Sequence, residues 1–331
     1  MFGPAVLGAI AAVVSPSPAR ASRPPDQAPL DIILYGAYGC VGHLAALHLA
    51  KQQNLTWAIA GRNASKLHAL AATLADTHGA SSHPEIIVAN LVGDLPWVKR
   101  AKAVATAAGP FSIHDGENLV KACATYGVSY SDTSDEFYWQ RRMITGYDVT
   151  ARATGARIAL ASGFCAVAAD LGAALALERA DGRNGRDGAT TNLDAWLEKY
   201  SGGISAGVIH TTHVNASYPK EWSTDPYVLA PTIDPSLKID TLVDGTHYPL
   251  VDPDHEGFTV PNLFGDYDAR FMRRSFAARG QRVHLRVGSP ITLYPDWINF
   301  LLRHPGSCAS AGLDPPTSGR PIHAAHLASS P

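Results

Sequence analysis

The chain has 331 residues, 46% of them hydrophobic, and a formal net charge of −2 from 27 basic and 29 acidic side chains. That apolar content can build a large core, the length suggests about two domains, and the charge balance excludes the basic footprint of a nucleic-acid binder. The four cysteines make no CxxC pair and the 14 histidines no HExxH, so neither a metal site nor a disulfide framework is indicated, and free thiols fit a reducing compartment.

Residues 1–30 begin with an apolar run, turn Ser/Pro-rich and reach Ala19-Arg20-Ala21. This pattern fits a targeting segment with a small-residue cleavage site, without the usual basic start, and it equally fits a disordered leader. The run is too short and too broken by proline to predict a spanning helix.

From residue 31 the chain reads as alternating strands and helices. "DIILYG" (31–36) is an apolar run ending in glycine, hence a buried strand, and a helical pattern follows from Val41 to Gln52. "TWAIAG" (56–61) is a second strand, followed by a helix with Leu67, Leu70, Ala71 and Leu74 on one face. "EIIVA" (85–89) and "AVATAAG" (103–109) are the third and fourth strands. A helix presenting Leu119, Ala122, Cys123 and Tyr126 precedes "VSYSDT" (128–133), and "RIALASG" (157–163) is the sixth strand. Such alternation predicts an α/β fold with a doubly wound parallel Rossmann sheet over residues 31–175, whose ligands bind beyond the carboxyl ends of the strands.

The rhythm then changes. "DGRNGRDGATTN" (181–192) reads as a loop, "LDAWLEKYSGG" as an exposed strand, and two more strands fall near 245–260 and 281–288. Residues 176–290 are therefore expected to form a second, smaller α+β domain. Residues 291–331, rich in Pro, Gly, Ser and Ala, read as a disordered tail.

The strand ends carry the chemistry. Gly36, Gly39 and Gly42 lie between the first strand and the first helix, where a pyrophosphate needs backbone N–H groups and a helix N-terminus. The spacing is GxxGxxG, and an ordinary glycine turn is the alternative. After the second strand stands Arg62, with Asn63 and Lys66 beside it, where an NAD site would place an acid. Cations there suit a 2′-phosphate and favour NADP(H) over NAD(H), the alternative being a solvated helix start. Asn90 ends the third strand on the adenine side. Gly109-Pro110 ends the fourth and leaves room for a nicotinamide, though a plain strand-to-helix turn would look alike. Tyr130, Asp132, Ser134, Asp135 and Glu136 cluster after the fifth strand. Asp135 and Glu136 read better as helix-capping acids than as proton donors.

Together "DIILYGAYGCVG", "WAIAGRNASKL", "AAGPF…GENLVKAC…YGVSYSDTSDE" and "ARIALASGF…DLG" resemble the saccharopine dehydrogenase-like oxidoreductases, nearest the branch with trans-acting enoyl reductases of lipid biosynthesis. The resemblance covers residues 31–172, with weaker echoes at 201–207, 225–231 and 269–275. It implies a pyrophosphate held by Gly36, Ala37, Tyr38, Gly39, Cys40, Val41 and Gly42. It also implies a 2′-phosphate on Arg62 and a nicotinamide ribose beside Ala108, Gly109 and Pro110. A cytoplasmic, mitochondrial, lipid-droplet or other membrane-associated location, and homo-oligomers, are further implications. Two departures stand out. Tyr38 and Val41 replace threonines, and the polar set expected after the sixth strand becomes Cys165-Ala166-Val167-Ala168-Ala169, leaving Asp170.

Two functions compete. One is an NADP-dependent reductase of an enoyl or carbonyl group on an apolar, lipid-related small molecule. Its proton-donor candidates are Tyr130, Asp132, His114 and Asp170, and Arg270, Arg273 and Arg274 could hold an anionic head group if they are not a solvated helix face. The other is a non-catalytic NADP-binding scaffold or sensor.

Overall fold

The run Leu30–Tyr35 forms β1 because, after Asp31, every side chain from Ile32 to Tyr35 is apolar or aromatic and buried, so both faces can be covered. The protein was analysed as a computed structural model describing residues 30–78, 83–184, 190–196, 206–218, 225–239, 250–252, 257–260 and 264–290. The expected leader up to residue 29 and the expected tail, 291–331, lie outside these residues.

After β1 come α1 (Cys40–Leu49), β2 (Trp57–Gly61), α2 (Ala64–His78), β3 (Glu85–Val88) and β4 (Ala101–Thr106). Then follow α3 (Gly116–Tyr126), β5 (Ser129–Asp132), α4 (Phe137–Thr154), β6 (Ile158–Ala159) and α5 (Phe164–Asn184). The six strands make one sheet in the order β3-β2-β1-β4-β5-β6. Every pairing in it is parallel. This is the doubly wound arrangement, with its topological switch between β1 and β4.

The strand period of two sorts the core onto two faces. Ile33, Tyr35, Ala58, Ala60 and Val104 face Leu119, Val120 and Cys123 of α3 and Trp139 and Met143 of α4. Ile32, Leu34, Trp57 and Ile59 face Ala46 and Leu49 of α1 and Leu67, Leu70 and Leu74 of α2. Each helix follows its strand and closes over one face, so both faces lose water.

Three element ends differ from expectation. β4 stops at Thr106 and β6 is two residues long. β6 ends early because Ala161 turns with φ +56° and gives its N–H to the Asp132 carboxylate instead of to a ladder. α5 runs to Asn184, through the start of the loop expected at 181 and across residues 175 and 176.

A second sheet has the order β7-β10-β9-β8, from β7 (Thr191–Trp196), β8 (Leu250–Asp252), β9 (Gly257–Val260) and β10 (Val283–Pro290). α6 (Ala206–Ala216) and α7 (Gly265–Ala278) complete the described elements. Val283, Leu285 and Val287 of β10 pack with Ala269, Met272 and Phe276 of α7 and Ala173 and Leu177 of α5.

Candidate functional site

The turn from β1 into α1 is built for close approach. Gly36 has φ +76°, and a Cβ there would sit 2.8 Å from the Ala108 Cβ across the switch point. A Cβ on Gly42 would overlap the Gly36 carbonyl oxygen, so the first turn of α1 packs directly on the loop. Gly39 closes the turn through its N–H to the Gly36 carbonyl at 3.0 Å. α1 has no acid in its first turn and no side-chain cap, so its positive pole and first N–H groups face the crevice. This is a cradle that side chains would fill, and it fits a pyrophosphate.

Tyr38 does not obstruct that cradle. Its ring lies over Gly61 at the end of β2, where a Cβ would stand 2.7 Å from Cε1, with the Lys66 ammonium 5.7 Å from its centroid. The tyrosine thus forms a wall between the glycine turn and the end of β2.

Arg62 is exposed and lines a cavity of about 510 Å³ with Asn90, Leu95, Pro96 and Trp97. Trp97 stacks on Tyr35 at 5.9 Å, which fixes one side of the cavity. Asn90 accepts the Val92 N–H at 3.2 Å, and Asn63 accepts the Lys66 N–H at 3.0 Å. Asn63 is therefore occupied in capping α2. Trp97 and Leu95 were not foreseen; they lie in the 3₁₀ stretch before β4, outside any strand end.

The turn after β4 is held from a distance. Gly109-Pro110 is a cis peptide. The buried Glu136 carboxylate accepts the Phe111 N–H at 2.5 Å and the Ser112 N–H at 3.0 Å. This corrects the capping reading of Glu136, which is the N-cap residue of α4 but makes no side-chain cap bond. His114 lies exposed in the same loop.

Tyr130 and Asp132 are enclosed. The Tyr130 hydroxyl donates to Asp132 at 2.9 Å, and Asp132 also accepts the Ser134 N–H and hydroxyl and the Ala161 N–H. Both residues are at most 1% exposed. Burial pushes Asp132 up to about 6 against these bonds. The geometry makes Asp132 a clamp between β5 and the turn after β6. Asp170 stands on α5 facing α7, where Ser275 supports its carboxyl, away from the other three candidates.

A second cluster gathers beyond β5 and β6. Asp135 receives a bond from Thr211 of α6 and is raised to about 6, chiefly by burial and then by Glu136. Asp268 of α7, 7% exposed, is raised to about 8 by burial, and its Oδ1 has no partner among the described residues. Cys165 feels both acids and is raised to about 12, burial leading. The Tyr267 hydroxyl donates to the Ser134 carbonyl at 2.6 Å and ties α7 to this corner. Sequence reasoning did not single out Asp268, because its burial depends on how α7 packs.

Two expectations are corrected here. Arg270 and Arg273 are each 3% exposed, so α7 does not offer a solvated basic face. The Arg270 guanidinium lies 4.9 Å from the Phe137 ring and pairs with Asp266. Cys40 is disulfide-bonded, being at the first position of α1 and outside both core clusters, and only Cys123 and Cys165 of the described cysteines are free. Among the described residues no group of three or more metal-ligating side chains could hold a metal ion.

Residues 32–158 match the family described as saccharopine dehydrogenase NADP binding domain. The six-stranded sheet falls almost wholly within this match and is similar to an NADP-binding domain of the saccharopine dehydrogenase type. Its cofactor class, NADP(H), is the one that Arg62 predicted. The chain is 33% identical to the trans-acting enoyl reductase of Mycobacterium leprae over 266 residues, covering 77% of this chain and 61% of that protein. It is 32% identical to the one of Mycobacterium ulcerans over 265 residues, covering 76% and 62%. Against a relative from Mycobacterium tuberculosis, 35% identical over 210 residues, it spans 49% of that protein's length. The chain thus spans between half and two thirds of the relatives it matches. Saccharopine dehydrogenase (L-Glu forming) from Saccharomyces cerevisiae aligns over 78% of this chain and 54% of that one, with TM-score 0.41 and 15% identity, too distant a likeness to argue from.

Proposed function

We propose that the protein is an NADP-dependent reductase acting on an enoyl or carbonyl group of an apolar, lipid-related small molecule. The observation that carries this reading is the pairing of the Gly36–Gly42 cradle with Arg62 at the mouth of the neighbouring cavity. NADPH, when bound, supplies the hydride. The Ala37 N–H and the first N–H groups of α1 would hold the pyrophosphate, with Tyr38 as a side wall, while the Gly36 and Gly39 N–H groups shape the turn through the Ala60 and Gly36 carbonyls. The Arg62 guanidinium would pair with the 2′-phosphate, as a fork of donors suits a phosphate. Asn90 and Trp97 would flank the adenine, and Ala108, Gly109 and Pro110 would leave space for the nicotinamide half.

Residues 31–175 serve in this reading as the cofactor domain and 176–290 as the substrate domain, supported by the second sheet and its α7 layer. Protons would come from the corner where Asp135 and Asp268 meet, because burial keeps these carboxyls more basic than usual. His114, in the open loop, is the most exposed of the earlier candidates. No helix among the described residues is long and apolar enough to cross a membrane.

The test is NADPH oxidation, followed by loss of nicotinamide absorbance, across a panel of trans-2-enoyl thioesters and aliphatic ketones of increasing chain length. The reading expects turnover that rises with chain length. Tight NADPH binding with no oxidation across the panel would instead indicate a sensor.

A further inference from the structure

A second cavity, of about 420 Å³, runs along the open edge of the sheet beside β6. It shares no lining residue with the cavity at Arg62. Its α4 wall extends from Gln140 to Arg152, roughly 18 Å at the helical rise. Met143 and Ile144 of α4, Leu229, and Phe271 of α7 give it an apolar strip, and Asp148, Arg152, Asp170 and Arg274 bring charged groups to the rest of its wall. That volume and lining suit a small molecule with an apolar body.

Among these polar groups Arg274 is the half-buried cation. Burial pushes its guanidinium down, and Nη1 donates to the neutral Leu229 carbonyl at 2.6 Å. It makes no ion pair among the described residues; the nearby Asp148 pairs with Arg152 at 2.8 Å. Asp148 acts on Arg274 but is already paired with Arg152, so a half-buried cation here is only partly balanced and an anion would relieve it. Asp170 lines the same cavity, its carboxyl raised by burial and held by the Ser275 hydrogen bond and the charge of Arg279.

We propose that this edge cavity binds a small apolar molecule ending in a carboxylate, with the carboxylate on Arg274 and the chain along Met143, Ile144, Leu229 and Phe271. The site stands apart from the cofactor cradle, so the inference does not rest on the reductase reading. Calorimetric titration of the full chain with decanoate tests it, with decanol as the uncharged arm. The expected result is one decanoate per chain, with binding at least about tenfold weaker in Arg274→Gln, as for a lost charge-assisted hydrogen bond. Ile144→Trp, which fills the cavity, should abolish binding, and decanol should bind more weakly than decanoate. Saturating NADPH should leave decanoate binding unchanged. Absent decanoate binding, equal binding of decanol, or binding unaffected by Ile144→Trp would each overturn the proposal. Circular dichroism checks the fold of both variants, and if Arg274→Gln does not fold, the decanol and Ile144→Trp arms still decide the question.

Discussion

At the scale of single residues, Asp268 sets a pH dependence that ordinary carboxylates would not. Its pKa in the folded chain is raised from 3.8 to about 8 by burial. A raised acid binds its proton more tightly in the native state than in the unfolded one, so its contribution to stability is complete below its unfolded value. That contribution is lost as pH rises through about 8. Urea midpoints at about pH 6 and about pH 9 should therefore fall across that interval in the natural protein, and less so in Asp268→Asn, which keeps the shape without the charge. An identical fall in both would mean that Asp268 does not titrate there. Arg62 was legible in sequence because the end of a strand fixes where its side chain can act. Tyr38 was not. Its direction depends on the bare Gly61 surface one strand away, which only packing reveals.

At the scale of elements, Glu136 links two of them across the crevice. Its carboxylate holds the Phe111 and Ser112 N–H groups after β4 while its own backbone starts α4. Removing it leaves two buried donors without a partner, so Glu136→Ala should cost about 2–4 kcal/mol, read as a drop in thermal midpoint. Glu136→Gln, which retains one acceptor oxygen, should recover part of the loss; a midpoint unchanged in Glu136→Ala would contradict the assignment. The sequence pattern suggested a cap because capping is a local signal, whereas this contact spans about 25 positions. The first five strands were legible for the opposite reason: continuous apolar runs between helical periods have few other places to go. β6 was overestimated because its early end is imposed by Asp132, a partner 29 residues away at Ala161.

At the scale of the whole molecule, the order β3-β2-β1-β4-β5-β6 places every loop that carries candidate cofactor contacts on one edge of the sheet. Connection handedness and alternation make that order foreseeable. The second sheet was foreseeable only as scattered strands, since the pairing of β7 with β10 joins segments about 90 residues apart, as in Leu193 with Leu285. The corner formed by Asp135, Cys165 and Asp268 depends on how α5, α6 and α7 meet, and no spacing in the sequence encodes it. The fold's central consequence is selection of the phosphorylated dinucleotide. Titration of the full chain with NADPH and with NADH, followed by nicotinamide fluorescence and repeated on Arg62→Ala, tests that claim most directly. The account predicts that NADPH binds more tightly than NADH, and that Arg62→Ala weakens NADPH by about 10- to 100-fold while barely changing NADH. Equal affinity for the two cofactors, or an unchanged NADPH affinity in Arg62→Ala, would contradict it.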